Sequence, residues 1–201
     1  MRHSTACLAA LAIALLSAPL VAAQPVDPGS LRGAELLAAL RGGGYILYFR
    51  HTDTDHSQHD TLGQGPQDCA KQRNLTDRGR DQARAIGQAI RALTIPIGPV
   101  LASPLCRTLE TATLAFGTAE RSAAARDAGP APPGSPERFA ELRRLLSIMP
   151  PKGTNTVIMG HAYPFYSLVG EAAIVQPNGA GFQVMARLGL TQWQELAKPA
   201  P

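Results

Sequence analysis

Hydrophobic residues are grouped along the chain in short runs that have the length and the β-branched or aromatic composition of buried strands. Three of these runs occupy residues 45–49, 100–104 and 156–160. Basic or imidazole side chains follow the runs closely; they are Arg50, His51, Arg107 and His161. Because ligands of open α/β sheets bind outside the carboxyl ends of the strands, we expect these side chains to form one electropositive pocket that suits a phosphate group.

Between these runs, apolar residues recur at the three- and four-residue spacing of amphipathic helices. The helices predicted by this spacing cover residues 31–40, 77–93, 105–116 and 137–148. Thr76 is a suitable N-cap for the second helix. Two further strands are predicted over residues 172–175 and 182–188. Strands that alternate with helices indicate βαβ units, so the sequence predicts an α/β fold, a three-layer αβα sandwich with a largely parallel central sheet.

Residues 1–23 have the pattern of a secretory signal peptide. Arg2 precedes a short apolar segment over residues 8–21, and small residues at positions 21–23 form a cleavage site. We therefore expect an exported protein, periplasmic or secreted, in which residues 24–201 form a single domain. The apolar segment is short for a membrane span, so no stable membrane insertion is expected after cleavage. An uncleaved anchor is the alternative.

The charge of the chain narrows the class of partner. The formal net charge is +4, and the basic residues are spread along the sequence rather than gathered in runs. A sequence without a basic stripe or an aromatic stacking platform argues against nucleic acid as a partner. The positive charge suits a small anionic substrate, and the oligomeric state stays open.

The residue types at the three strand ends suit phosphoryl transfer. This reaction needs charge neutralisation on the equatorial oxygens and an in-line nucleophile. Arg50 and Arg107 carry planar guanidinium groups that bind such oxygens in pairs. His51 and His161 supply imidazoles, which can form covalent intermediates near neutral pH. The sequence contains no Walker loop, no C-x5-R motif and no G-x-S-x-G elbow.

Four segments, in order, resemble the signatures of the histidine phosphatase superfamily, the phosphoglycerate-mutase-like group. The family motifs are R-H-G, L-T-x-x-G, S-P-x-x-R-x-x-x-T-A and G-H. The matching segments are Arg50-His51-Thr52, residues 75–79, residues 103–112 and Gly160-His161. The resemblance spans residues 44–165 and implies the phosphoglycerate-mutase-like fold.

The resemblance implies a role for each site residue. His51 would be the nucleophile that becomes phosphohistidine, and Arg50, Arg107 and His161 would bind the transferring phosphoryl group. Water would then release inorganic phosphate from His51. The expected activity is that of a phosphoric monoester hydrolase that needs no cofactor and no metal and acts on a small phosphorylated substrate or an envelope phosphate. The alternatives are a phosphoryl mutase and a phosphate-binding protein without turnover.

The sequence departs from the family pattern at several positions. Thr52 stands where Gly is usual, and its hydroxyl could contact phosphate, as could that of Ser57, which stands where an Asn often helps to hold it. Asp53 stands where mutase members usually carry Glu. The acid that protonates the leaving group is not evident; Asp127 matches the family's acidic position best and is the candidate donor. Glu110 is expected to pair with Arg107 along the helix.

Two further hypotheses concern cysteines and metals. Export places Cys69 and Cys106 where disulfides persist, and both flank proposed site segments, so a bridge between them is favoured over two separate thiols. The loop after the first strand contains residues of types that bind zinc; they are His51, His56, His59, Asp53, Asp55 and Asp60. Their spacing fits no closed zinc pattern, and a metal on His51 would remove the nucleophile. A polar, substrate-facing loop is therefore preferred over a metal site.

Overall fold

The computed structural model describes residues 31, 33–61, 68–126, 132, 135–163, 173–177 and 182–186. The signal segment over residues 1–23 and the candidate proton donor Asp127 lie outside these residues. No helix within the described part of the chain is long and apolar enough to cross a membrane.

The helices and strands alternate as the hydrophobic pattern predicts. The helices are α1 (Gly33–Gly42), α2 (Asp77–Ala92), α3 (Cys106–Phe116) and α4 (Ala140–Leu146). The strands are β1 (Ile46–Arg50), β2 (Ile97–Ala102), β3 (Glu120–Arg121), β4 (Asn155–Gly160), β5 (Ala173–Pro177) and β6 (Phe182–Ala186). The prediction differs at α4, where a 3-10 turn over Pro136–Phe139 includes the first three residues of the predicted helix, with Ser135 accepting a hydrogen bond from Glu137 N. The short strand β3 was not predicted.

The strands of the described residues form one six-stranded sheet in the order β3-β2-β4-β1-β5-β6. Strands β1, β2, β3 and β4 are mutually parallel, and β5 and β6 add an antiparallel edge. The predicted largely parallel sheet is therefore confirmed.

Alternate residues of β1 face opposite sides of the sheet, as the two-residue period of a strand requires. Leu47 and Phe49 pack in a core cluster with apolar residues of α1, α2 and α3. Ile46 and Tyr48 pack in a second cluster with residues of α4. Helices thus cover both faces of the sheet, which is the predicted three-layer αβα sandwich.

The strand register brings three carboxyl ends side by side. Arg50 of β1 lies opposite Gly160 of β4, and Ala102 of β2 lies opposite Met159 of β4. The residues that directly follow these strands are His51, Ser103 and His161. The backbone N–H of His51 donates to Gly160 O at 3.2 Å, and that of Ser103 donates to Met159 O at 2.9 Å. The sheet therefore carries the pocket residues on adjacent strand ends.

The N-terminus of α2 packs closely against the segment that follows His51. Thr76 caps the helix, because its Oγ1 accepts from the Gly79 N–H at 2.9 Å. Thr76 also donates from Oγ1 to Asp53 Oδ2 at 2.8 Å. A Cβ at Gly79 would collide with the carbonyl oxygen of Asp53. The L-T-x-x-G spacing thus supplies both a cap and the close approach of α2 to the His51 loop.

Candidate active site

His51 is buried at the end of β1, with 6% of its surface exposed. Its Nδ1 lies 2.8 Å from the backbone carbonyl oxygen of Thr52. A carbonyl oxygen only accepts hydrogen bonds, so we assign the proton of the neutral ring to Nδ1, which leaves the lone pair on Nε2. Burial lowers the pKa of His51 to about 4, assisted by the nearby charges of Arg50 and Arg107 and opposed by the Thr52 contact. His51 is therefore an uncharged imidazole with a free basic nitrogen at neutral pH.

His161 lies beside His51 at the end of β4, with the two ring centroids 5.6 Å apart and the rings edge to face. Its Nε2 shares a hydrogen bond of 2.7 Å with Oγ of Ser103, which is fully buried. Burial lowers the pKa of His161 to about 3, and the positive charge of Arg107 adds to the effect. In the tautomer with Ser103 as donor, Nδ1–H of His161 becomes a neutral donor for a bound anion.

Gly160 is required directly before His161. A Cβ at this position would fall on the phenol oxygen of Tyr48, whose ring is buried under the strand end. The glycine of the G-H pair therefore reflects the packing beneath the site, and it keeps β4 and His161 close to β1.

Arg107 is the second residue of α3, and only 4% of its side chain is exposed. Its guanidinium forms a bidentate ion pair with Asp60, with Nη1–Oδ1 at 2.9 Å and Nη2–Oδ2 at 3.1 Å. Partial burial of Asp60 raises its pKa, but hydrogen bonds from the Arg73 N–H and from Arg107 outweigh this and lower it overall. Arg107 is thus a buried cation whose charge reaches both imidazoles.

The expected pairing of Arg107 with Glu110 is wrong. Glu110 instead accepts from Nε of Arg80 at 2.6 Å, an ion pair between α3 and α2. The two helices pack side by side, so the cation on α2 meets Glu110, while Arg107 points toward the loop that carries Asp60.

The other predicted site residues that the structure describes are Arg50, Thr52 and Ser57. Arg50 is exposed at the end of β1. Thr52 contacts Thr111, with 3.2 Å between the two hydroxyl oxygens, and the Thr111 hydroxyl donates to the carbonyl of Arg107 at 2.7 Å. Ser57 is exposed and donates from Oγ to Asp55 at 2.6 Å. Phosphate contacts by Thr52 and Ser57 stay predictions, as does proton donation by Asp127.

Cys69 and Cys106 form a disulfide, the pairing that the sequence favours. Cys69 belongs to the loop after β1, and Cys106 directly precedes Arg107. Beside the bridge, Gln72 is buried and its Oε1 accepts from the Cys106 N–H at 2.9 Å. No side chain of α3 itself caps its first turn, so the loop performs this function. The loop is therefore fixed to the helix that carries Arg107.

The acidic residues proposed as zinc ligands have other partners. Asp53 binds Thr76 and Arg78, Asp55 binds Ser57 and Gln58, and Asp60 binds Arg107. Within the described residues, no three His, Cys, Asp or Glu side chains are grouped to hold a metal ion.

Sequence reasoning gave no role in the phosphate site to Ser103, Asp60 and Gln72, and it considered Asp60 only as a zinc ligand. Ser103 lies within the S-P motif. Its position at the end of one predicted strand could have indicated that its side chain lies close to His161, which follows another. Asp60 and Gln72 belong to a polar loop, where spacing alone does not reveal which side chains turn back toward α3.

The comparisons with known proteins agree with the motifs and the fold. The family model described as histidine phosphatase superfamily (branch 1) matches residues 46–128. A solved structure of the protein histidine phosphatase SixA complexed with tungstate aligns with a TM-score of 0.51 at 15% identity, over 73% of this chain and 97% of that chain. Bacillus stearothermophilus YhfR aligns with a TM-score of 0.53 at 15% identity, over 73% and 98%. At this identity both structures support the fold alone. No curated protein matches the chain.

Proposed function

We propose that this chain, whose residues 46–128 match the family model of the histidine phosphatase superfamily, is an exported phosphohydrolase that works through a phosphohistidine intermediate. The observation that carries the proposal is the state of His51. Its Nδ1–H is bound to the Thr52 carbonyl and burial keeps the ring neutral, so Nε2 is a nucleophile beside a buried arginine.

In the first step, Nε2 of His51 attacks the phosphorus atom. The N–P bond forms as the bond to the leaving oxygen breaks, and that oxygen departs with the bonding electron pair. Arg50, Arg107 and His161 stabilise the charge on the equatorial oxygens, which is where electrostatic catalysis contributes most. The proposed mechanism assigns this charge stabilisation to the three donors and uses no metal or other cofactor.

In the second step, water attacks the phosphorus of phosphohistidine. The N–P bond breaks, His51 recovers its lone pair, the water loses a proton and inorganic phosphate leaves. Asp127 is the candidate group that gives a proton to the leaving oxygen in the first step and accepts one from water in the second. Leaving groups that are already acidic, such as a phenol or an anhydride, depend less on this donor.

The substrate class is a small phosphomonoester or a phosphate of the cell envelope, since the signal-like N-terminus favours an extracytoplasmic site of action. SixA is described as a protein histidine phosphatase, so phosphohistidine is included among the substrates to be tested. Tungstate, with which SixA was complexed, is a tetrahedral oxyanion and a suitable probe of the pocket.

The test uses the mature chain with an aryl phosphate and a panel of phosphorylated compounds. We expect a burst of phenol release, an acid-labile phosphoryl label on His51, and loss of both in His51→Ala. Unchanged hydrolysis by His51→Ala would contradict the mechanism. Transfer of the label to a second substrate hydroxyl, rather than to water, would identify a mutase. Tungstate binding without any turnover would identify a binding protein.

A further inference from the structure

The guanidinium of Arg107 presents two different edges. The terminal edge, formed by Nη1 and Nη2, is occupied by the two carboxylate oxygens of Asp60 at 2.9 and 3.1 Å. The carbonyl oxygen of Arg73 accepts a further, longer bond from Nη1 at 3.4 Å. Both hydrogens of Nη1 and one hydrogen of Nη2 therefore have partners.

The side edge of the same group, formed by Nε and Nη2, is not hydrogen-bonded to any described residue. Nε is buried and has no hydrogen-bond partner among the described residues, and Nη2 retains one hydrogen. Nε–H and Nη2–H point in the same direction and form a second fork, which matches two oxygens of a phosphoryl group. A buried donor without a partner is costly, so this edge is the one that a bound anion would satisfy.

Asp60 is held in place by backbone atoms as well as by Arg107. Its Oδ1 accepts from the Arg73 N–H at 3.0 Å. The next residue, Thr61, donates its N–H to the Lys71 carbonyl at 2.9 Å. The segment around Lys71 belongs to the part of the loop that the disulfide joins to α3. Asp60 is thus a fixed carboxylate, although 43% of its side chain is exposed.

We propose that Asp60 is a positioning residue, which holds the terminal edge of Arg107 and thereby aims the Nε–Nη2 edge at the phosphoryl group. The proposal rests on the proposed function, because it assigns a residue to that same phosphate site. Asp60 does not contact the reacting atoms; it acts through Arg107. The opposite role would be that of a competitor, in which the carboxylate occupies Arg107 until phosphate displaces it.

The two roles predict opposite effects on oxyanion binding. If Asp60 positions Arg107, its replacement lets the guanidinium rotate, and tungstate and the substrate bind less well. If Asp60 competes, its replacement frees the guanidinium, and tungstate binds more tightly. The affinity of the mature protein for tungstate, measured by calorimetry, therefore distinguishes the two.

The experiment compares Asp60→Asn, Asp60→Ala and Asp60→Glu with the wild type, using aryl phosphate kinetics and tungstate titration. We expect Asp60→Asn and Asp60→Ala to lower kcat/KM by roughly 10- to 100-fold, the size of effect that follows from misplacing a group by about 1 Å. Asp60→Glu keeps the carboxylate and should recover part of the loss. Asp81→Asn is the matched control, since Asp81 pairs with Arg84 on the exposed side of α2.

A double variant shows whether the effect passes through Arg107. Lysine lacks the two-edged fork, so in an Arg107→Lys background Asp60→Asn should cause little further loss. An equal loss in both backgrounds would overturn the proposal, as would tighter tungstate binding by Asp60→Ala or unchanged kinetics in all Asp60 variants. Wild type that binds tungstate without turnover would contradict the proposed function alone, because tungstate affinity still tests the role of Asp60.

Discussion

His51 and His161 lie edge to face at the ends of two paired strands, with ring centroids 5.6 Å apart. Two imidazoles buried this closely beside Arg107 are both disfavoured as cations. The pair therefore remains neutral where an ordinary histidine would begin to take up a proton. Neutral rings can serve as a nucleophile and as a hydrogen-bond donor without adding to the charge that the arginines already supply.

The first prediction concerns the titration of the two rings. In the mature protein without ligand, we expect the imidazole Cε1–H resonances of His51 and His161 to titrate near pH 4 and pH 3, instead of near 6.5. Proton NMR from pH 7.5 to 2.5 measures this, and His51→Gln and His161→Gln assign the signals. Titration of both rings above pH 6 would contradict the assigned neutral states.

The same shift predicts how stability depends on pH. Below pH 6.5 the unfolded chain takes up a proton at His51, whereas the folded chain does not until about pH 4, so stability falls as the pH is lowered. Between pH 7.5 and pH 5, His51 alone should account for about 2 kcal/mol of the free energy of unfolding. Urea unfolding at both pH values measures the loss, and His51→Gln should lose less than the wild type by that amount.

Much of the fold and the centre of the site could be predicted from local sequence. The hydrophobic runs over residues 45–49, 100–104 and 156–160 predict the strands that lead to Arg50, Arg107 and His161. A parallel sheet brings the carboxyl ends of such strands to one edge, which predicts a common pocket. Thr76 marks the start of α2 because capping depends only on residues three apart. These features depend on interactions between residues that are close in sequence, and such interactions can be predicted from the hydrophobic periodicity and the residue types.

What could not be predicted depends on long-range contacts. Glu110 pairs with Arg80 because α2 and α3 pack together, and helical spacing alone favoured Arg107 instead. Asp60 reaches Arg107 across 47 positions of sequence, through a loop whose path is set by backbone hydrogen bonds. The sequence around a loop aspartate does not show whether its carboxylate faces water or pairs with a distant, buried guanidinium.

The third prediction concerns the close approach of α2 to the loop after His51. Gly79→Ala would place a methyl group on the Asp53 carbonyl, and backbone cannot move aside as a flexible side chain can. We expect a loss of about 1–3 kcal/mol in stability together with lower activity, since Asp53 lies two residues from the nucleophile. Gly42→Ala is the control, because a Cβ there meets nothing within 4 Å. Equal stability of the two variants would contradict the contact.

The fourth prediction concerns Asn155, a fully buried side chain at the start of β4. Its amide nitrogen donates to Leu40 O at 2.7 Å and Pro96 O at 3.0 Å, and its oxygen accepts from Tyr45 N at 3.1 Å. Asn155→Ala would leave the Tyr45 N–H without its side-chain acceptor and would remove one of two hydrogen bonds from each of the Leu40 and Pro96 carbonyls, so we expect a loss of about 1–3 kcal/mol. Urea unfolding measures it, while kcat of the folded fraction should stay within about twofold, because Asn155 lies at the opposite end of the strand from His161.

The last prediction concerns the disulfide between Cys69 and Cys106. The bridge closes a loop with a sequence separation of 37, for which the chain-entropy estimate of stabilisation is about 4 kcal/mol. Because the bridge ends beside Arg107, and the loop also carries Asp60 and Gln72, reduction should impair the phosphate site as well as stability. We expect weaker tungstate binding and a higher KM after reduction, with His51 still able to accept a phosphoryl label.

The redox experiment is controlled by the Cys69→Ser/Cys106→Ser double variant. This variant should resemble the reduced wild type in stability and KM and should not respond to reductant. Activity that is unchanged by reduction, in protein shown by thiol titration to be fully reduced, would show that Gln72 and the loop hydrogen bonds hold Arg107 without the bridge. A rise in KM confined to the reduced wild type and the double variant would link the site to an oxidising compartment, where such a bridge persists.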